Sequence, residues 1–72
     1  DDTKSLVCPM PGLIVSLDVT EGDKIEEGQS LCTIEAMKME NILRSERKGI
    51  VKLINKTVGD SIAVNDIIME FE

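Results

Sequence analysis

The chain repeats itself at a constant spacing of 37 residues. Residues 12–35 align over residues 49–72 without a gap, and both halves contain the block Thr-x-Gly-Asp-x-Ile. The apolar positions around this block also match. The identical pairs are Gly12/Gly49, Thr20/Thr57, Gly22/Gly59, Asp23/Asp60, Ile25/Ile62 and Glu35/Glu72. Such a repeat predicts a domain built from two copies of one supersecondary unit.

Each half is predicted to consist of short strands separated by turns. An apolar run follows Gly12 or Gly49, and then come a Gly-Asp turn, an isolated Ile, a polar turn and a closing apolar run. Gly28 in the first polar turn aligns with Asn65 in the second. Both residue types accept a left-handed backbone. The repeat therefore predicts an all-β fold whose core consists of the positions that are apolar in both halves.

The segment EAMKMENILRSERK, at residues 35–48, has the composition of a helix. The repeat contradicts that interpretation, because residues 41–45 align with residues 4–8. Pro9 and Pro11 follow the latter stretch and exclude a helix there. We therefore predict a strand in the second half too, since tertiary context often overrides propensity.

The two halves must meet in a tight turn. The first closing strand is predicted to end at Glu35, and the next strand to begin at about Glu40. Met37 and Lys38 lie nearest the centre of the turn, although two-residue hairpins favour Asn-Gly or another pair that tolerates positive φ. A left-handed backbone at one ordinary residue costs about 1 kcal/mol or more. Such a conflict between residue type and backbone is typical of a functional site.

Composition argues against several function classes. The chain has one aromatic residue, Phe71, and a net charge of -6, so nucleic acid is not an expected partner. No apolar run approaches the roughly 20 residues of a membrane span. Cys8 and Cys32 are too few for a disulfide framework, and no His is present to complete a zinc site. Both are expected to be reduced core residues.

The domain boundaries follow from the repeat and from the polar start of the chain. Residues 1–5 are expected to be the remnant of a linker, in a segment cut from a longer protein. Residues 6–72 are expected to form one domain, with the internal repeat over about residues 4–35 and 41–72.

The segment Glu35-Ala36-Met37-Lys38-Met39 resembles the biotin attachment motif of biotinyl carrier domains, and the resemblance extends from Pro9 to Glu72. It implies a flattened β-barrel, or barrel-sandwich hybrid, of two four-stranded antiparallel sheets with pseudo-twofold symmetry. It also implies that Lys38 lies on an exposed hairpin and carries covalent biotin. The residues implied in the attachment motif and in recognition by biotin protein ligase are Met37, Met39, Ala36 and Glu35.

The resemblance implies a carrier and not an enzyme in its own right, with no catalytic residue and no metal site. Biotin on Lys38 would carry a carboxyl group from an ATP- and bicarbonate-dependent biotin carboxylase to a carboxyltransferase of the parent enzyme. Glu35 has a twin in Glu72, which favours a structural or solubilising role for Glu35. The isolated domain is expected to be monomeric, in the cytoplasm if bacterial and in the mitochondrial matrix if eukaryotic.

Residues 9–12, 34–41 and 67–72 look most like the C-terminal end of propionyl-CoA carboxylase α chains. The acceptor implied is propionyl-CoA or another acyl-CoA. Pyruvate, methylcrotonyl-CoA and acetyl-CoA carboxylases and oxaloacetate decarboxylase carry related domains. There is no room between Gly12 and Gly22 for the thumb insertion of the bacterial acetyl-CoA carboxylase carrier.

Two alternatives stay open from the sequence. A lipoyl carrier domain resembles this chain in fold, symmetry and lysine placement, although lipoyl hairpins usually read Asp-Lys-Ala without flanking methionines. A non-acylated structural or interaction module with the same barrel-sandwich fold would be unaffected by replacement of Lys38.

Overall fold

The computed structural model describes residues 4–72, which form eight β-strands. The strands are β1 Ser5–Val7, β2 Gly12–Leu17, β3 Lys24–Ile25, β4 Ser30–Ala36, β5 Met39–Arg44, β6 Gly49–Ile54, β7 Ser61–Ile62 and β8 Ile67–Phe71. Residues 1–3 of the linker predicted at residues 1–5 lie outside the described residues, whereas Ser5 belongs to β1, because it pairs with Glu70 of β8. Within that described range, no helix has the length and apolar character needed to cross a membrane.

The strands form two four-stranded antiparallel sheets. The first sheet has the order β1-β8-β6-β3, and the second has the order β5-β4-β2-β7. Each strand of one sheet occupies the place of its repeat partner in the other, so β1 corresponds to β5, β8 to β4, β6 to β2 and β3 to β7. This arrangement confirms the predicted flattened barrel with pseudo-twofold symmetry.

Irregularities in the sheets follow the same symmetry. The pairing of β2 with β4 shifts register between Ile14 and Ser16, and that of β6 with β8 shifts between Val51 and Leu53. These positions differ by the repeat spacing. Because a β-bulge bends a strand and increases its twist, the two sheets curve in the same way.

The Thr-x-Gly-Asp blocks form matching turns before β3 and β7. The amide of Thr20 donates a hydrogen bond to Oδ2 of Asp23 at 2.9 Å, and Thr57 donates to Asp60 at the same distance. The glycine before each aspartate has a φ of 92° or 96°, which favours glycine. The repeated block is therefore explained by turn geometry.

The second pair of turns confirms the expected exchange of glycine for asparagine. Gly28 has a φ of 83° and Asn65 a φ of 74°. The Asn65 amide donates to the carbonyl oxygen of Cys8 at 2.9 Å, and Gly28 makes the equivalent bond to Ser45 at 2.8 Å. One backbone conformation therefore accommodates two different residues in the two halves.

Replacing Asn65 with Ala is expected to lower the free energy of unfolding by about 1 kcal/mol, because Ala tolerates the left-handed region poorly. Urea unfolding followed by circular dichroism measures the change. Asn65→Gly is the matched control, since the aligned residue in the first half is Gly28, and its stability should stay close to that of the parent chain. Equal losses in both variants would contradict the backbone explanation.

The core lies between the sheets and consists mainly of aliphatic side chains from both halves. Cys8 and Cys32 are buried within it, and both are free thiols, as expected. The other buried members are Ile14, Val19, Ile25, Leu31, Ile34, Val51, Ile62, Ile68 and Met69. A single core that joins both sheets fixes the β4–β5 hairpin relative to the barrel.

Candidate functional site

The β4–β5 hairpin closes with the pair Ala36 and Met39, so Met37 and Lys38 are the two turn residues. Their φ values are 54° and 66°. Both therefore have the left-handed backbone of a type I′ hairpin. The turn is centred where the repeat predicts it, but each strand is one residue longer than expected, since pairing continues past Glu35 to Ala36.

This turn is unfavourable for its own residues. A left-handed backbone costs roughly 1–2 kcal/mol per ordinary residue, and neither turn position is Gly, Asn or Asp. The hairpin is held by cross-strand pairs that run from Ser30 with Arg44 to Ala36 with Met39. Local strain that the surrounding sheet maintains in this way is typical of functional sites.

The hairpin presents Lys38 together with its methionine neighbours. Met37 is 95% exposed and Met39 is 67% exposed, while Ala36 is buried beneath them. Within residues 4–72, the Lys38 side chain is exposed and its Nζ has neither an ion pair nor a hydrogen bond. The amine is therefore accessible to a reaction partner, with flexible apolar side chains on both sides.

Glu35 lies directly opposite Glu40 at the base of the turn, and both side chains are exposed. Like charges directly opposite each other destabilise a sheet. The backbone of Glu35, rather than its side chain, has a structural role, because it packs closely against Gly12. A Cβ built on Gly12 would lie 2.5 Å from the Glu35 carbonyl oxygen. Gly12 thus permits the close approach of β2 to the strand that carries the hairpin.

The family described as "Biotin-requiring enzyme" matches residues 4–71. The chain belongs to this family. The chain is 65% identical over its whole length to a propionyl-CoA carboxylase alpha chain from Ruegeria pomeroyi, of which it covers 11%. It is 44% identical over 99% of its length to the mitochondrial propionyl-CoA carboxylase alpha chain of Mus musculus, of which it covers 10%.

The fold has relatives with a different cofactor. The solution structure of the lipoyl domain of the 2-oxoglutarate dehydrogenase complex from Azotobacter matches with a TM-score of 0.85 and 16% identity, covering 96% of this chain and 95% of that one. At this identity the match describes the fold alone. The family match and the carboxylase relatives confirm the expectation of a carboxyl carrier domain that requires biotin.

The biotin-requiring domain has a side chain suited to covalent attachment. A carboxylic acid cofactor needs a primary amine that an acylating enzyme can reach, and Lys38 is such an amine at the tip of a strained turn. The amine lies on an exposed turn, so attachment requires no enclosed cavity.

Two further residues of the domain line a shallow groove beside Lys38, and the sequence does not single them out. Leu13 lies in β2 and Ser61 in β7, and both contribute to this groove. Their proximity to Lys38 depends on cross-strand register, for which the repeat contains no signal.

Below the hairpin, burial raises the pKa of the Cys32 thiol from 9.0 to about 11, with smaller contributions from Asp18 and Cys8. The unfolded chain therefore loses this proton at a lower pH than the native domain. Stability from the protonated thiol is complete below pH 9.0 and is lost as pH rises to about 11.

Urea unfolding below pH 9.0 and near pH 11 should show this loss in the parent domain and a smaller loss in Cys32→Ala. Because the rest of the sequence is the same in both chains, the difference between the two chains is the quantity measured. An identical dependence on pH in both chains would contradict the assignment to Cys32.

Proposed function

We propose that Lys38 carries biotin in amide linkage and that the domain moves a carboxyl group between two active sites of a biotin-dependent carboxylase. The observation that supports this most directly is the position of Lys38 at the centre of a type I′ turn, with φ 66° and an exposed side chain. The attachment motif Glu35-Ala36-Met37-Lys38-Met39 surrounds it.

Attachment uses the Lys38 amine as a nucleophile. The neutral Nζ attacks the activated carbonyl of biotinyl-adenylate in a biotin protein ligase, the C–O bond to AMP breaks as the C–N bond forms, and the nitrogen loses one proton to give the amide. Bound biotin supplies a ureido nitrogen that accepts and releases a carboxyl group. The chain itself supplies the tether and a rigid hairpin that presents the tether away from the barrel.

Recognition by the ligase is assigned to the residues around the lysine. Met37 and Met39 expose large, adaptable side chains, which suit a docking surface that the ligase must contact before transfer. Glu35 adds an exposed carboxylate on the adjacent strand. Ala36 is buried and pairs with Met39 at the base of the turn, so its part in recognition is to hold the hairpin rather than to contact the ligase.

The parent enzyme is proposed to be a propionyl-CoA carboxylase, with propionyl-CoA as the acceptor. The two relatives named above are alpha chains of that enzyme, and the chain spans about a tenth of their length. A biotin carboxylase and a carboxyltransferase are then the partners within the assembly. The linker to the rest of the parent chain, predicted at residues 1–5, would end where β1 begins at Ser5, and the carrier domain would extend from there to residue 72.

The compartment follows from the same comparison. The relatives are a bacterial protein and a mammalian mitochondrial one. We therefore propose that the domain is located in the cytoplasm if its source is bacterial and in the mitochondrial matrix if its source is eukaryotic.

The direct experiment offers the 72-residue chain to two enzymes in parallel: a biotin protein ligase with biotin and ATP, and a lipoate ligase with lipoate and ATP. Intact-mass spectrometry should show one biotin per chain and no lipoate, and peptide mapping should place biotin on Lys38. Attachment of lipoate but not biotin would favour the lipoyl alternative, and attachment of neither would favour the non-acylated module.

A further inference from the structure

A shallow groove lies on the outer surface of the second sheet, beside the hairpin. We call it the hairpin groove. The residues that line it include Pro11, Leu13, Glu35, Lys38 and Ser61. Leu13 pairs with Glu35 of β4 on one side and with Ser61 of β7 on the other, so these three residues form one cross-strand row. All three are exposed, which places the row on the face away from the core.

The row combines an apolar centre with one acceptor and one donor. Leu13 is 41% exposed although it is a large hydrophobic residue. Among residues 4–72, neither the Glu35 carboxylate nor the Ser61 hydroxyl has a hydrogen-bond partner. Two polar groups that flank an apolar surface, both with free bonding capacity, suit a small ligand that has a polar edge and an apolar body.

The biotin ring has this distribution of groups. Its ureido edge carries two N–H donors and one carbonyl acceptor, and the fused thioether ring is apolar. A carboxylate can accept from an N–H, a hydroxyl can donate to the carbonyl, and Leu13 can contact the thioether ring. We propose that the ring of biotin on Lys38 folds back into the hairpin groove, with Glu35 and Ser61 bonding its ureido edge.

The tether is long enough for this contact. The lysine side chain and the acyl chain of biotin together span roughly 14 Å at ordinary single-bond lengths. Glu35 precedes Lys38 by three residues, so their Cα atoms are at most roughly 10 Å apart, the length of three fully extended residues. Since the ligand is tethered beside the groove, its effective concentration is of millimolar order, so weak affinity is enough for substantial occupancy.

The duplication provides an internal control surface. The equivalent row in the first sheet consists of Ile50, Glu72 and Lys24. A lysine there replaces the hydroxyl of Ser61, and the row lies in the sheet that does not contain the β4–β5 hairpin. Non-specific contacts of free biotin with exposed side chains would affect both rows alike.

This inference rests on biotin attachment at Lys38, and the experiment separates the two. The 72-residue chain, labelled with ¹⁵N and ¹³C, is biotinylated by the ligase and checked by intact mass, and NMR spectra of the modified and unmodified chains are compared. We expect amide shift changes at Leu13 and Ser61, NOEs between the ring protons and the Leu13 methyl groups, and no change at Ile50 or Lys24.

Ser61→Ala tests the polar contact, and Lys24→Ala is its matched control at the equivalent position. In biotinylated Ser61→Ala the ring NOEs should be lost or weakened, and in Lys24→Ala they should persist. Shift changes confined to residues 36–40, with no NOE between the ring and Leu13, would contradict binding of the ring in the hairpin groove but would not affect the proposed carrier function. A chain that gains no mass would overturn both.

Discussion

Replacement of Lys38 by Arg is expected to abolish attachment of biotin while leaving the domain folded. The guanidinium group keeps the positive charge and similar length, but it stays protonated and cannot serve as the attacking amine. The Lys38 side chain makes no ion pair or hydrogen bond with the rest of residues 4–72, so its replacement should change the free energy of unfolding by less than about 0.5 kcal/mol.

Intact mass after incubation with ligase measures the loss, and urea unfolding tests the fold. Lys48→Arg is the matched control, because Lys48 is an exposed lysine in the connection between β5 and β6. That variant should accept one biotin like the parent chain. If Lys38→Arg still gains one biotin, the attachment site has been assigned to the wrong lysine.

Gly12→Ala is expected to destabilise the domain by about 1–3 kcal/mol, whereas Gly49→Ala should be tolerated. These two glycines are repeat partners at the starts of β2 and β6, but their surroundings differ. A Cβ on Gly12 would lie 2.5 Å from the Glu35 carbonyl oxygen and 2.7 Å from Cγ2 of Ile34. A Cβ on Gly49 would lie no closer than 3.8 Å to the Glu72 carbonyl oxygen.

Relief of the clash at Gly12 requires movement of backbone in β4, the strand that leads into the hairpin. The comparison of both variants by urea unfolding is therefore informative about how rigidly the barrel positions Lys38. Gly49→Ala should be neutral or stabilise the domain slightly, because Ala lowers the conformational entropy of the unfolded chain, an effect that raises the free energy of unfolding by about 0.4–1 kcal/mol. Equal effects in the two variants would contradict a close contact specific to Gly12.

Much of the fold could be predicted from the repeat because turns depend on local residues. The Thr-x-Gly-Asp blocks and the exchange of Gly28 for Asn65 both report a left-handed backbone, which few residue types tolerate. The position of the lysine turn also followed from the repeat, against the helical propensity of its residues. The turn is held by pairing along β4 and β5, which outweighs local preference.

The surroundings of the candidate site could not be predicted in the same way. The row of Leu13, Glu35 and Ser61 joins residues from β2, β4 and β7. The two-residue strand β7 has little pattern of its own. The different packing of Gly12 and Gly49, identical in sequence alignment, likewise depends on how closely a neighbouring strand approaches.

The sequence alone therefore determined the duplicated β architecture, the turn chemistry and the motif around Lys38, because each depends on residues near one another in the chain. The tertiary structure decided what surrounds the lysine: the left-handed conformation of both turn residues, the close contact at Gly12 and the groove beside the hairpin. The physical reason is cross-strand register, since a shift of one residue would turn Leu13 toward the core and remove the groove.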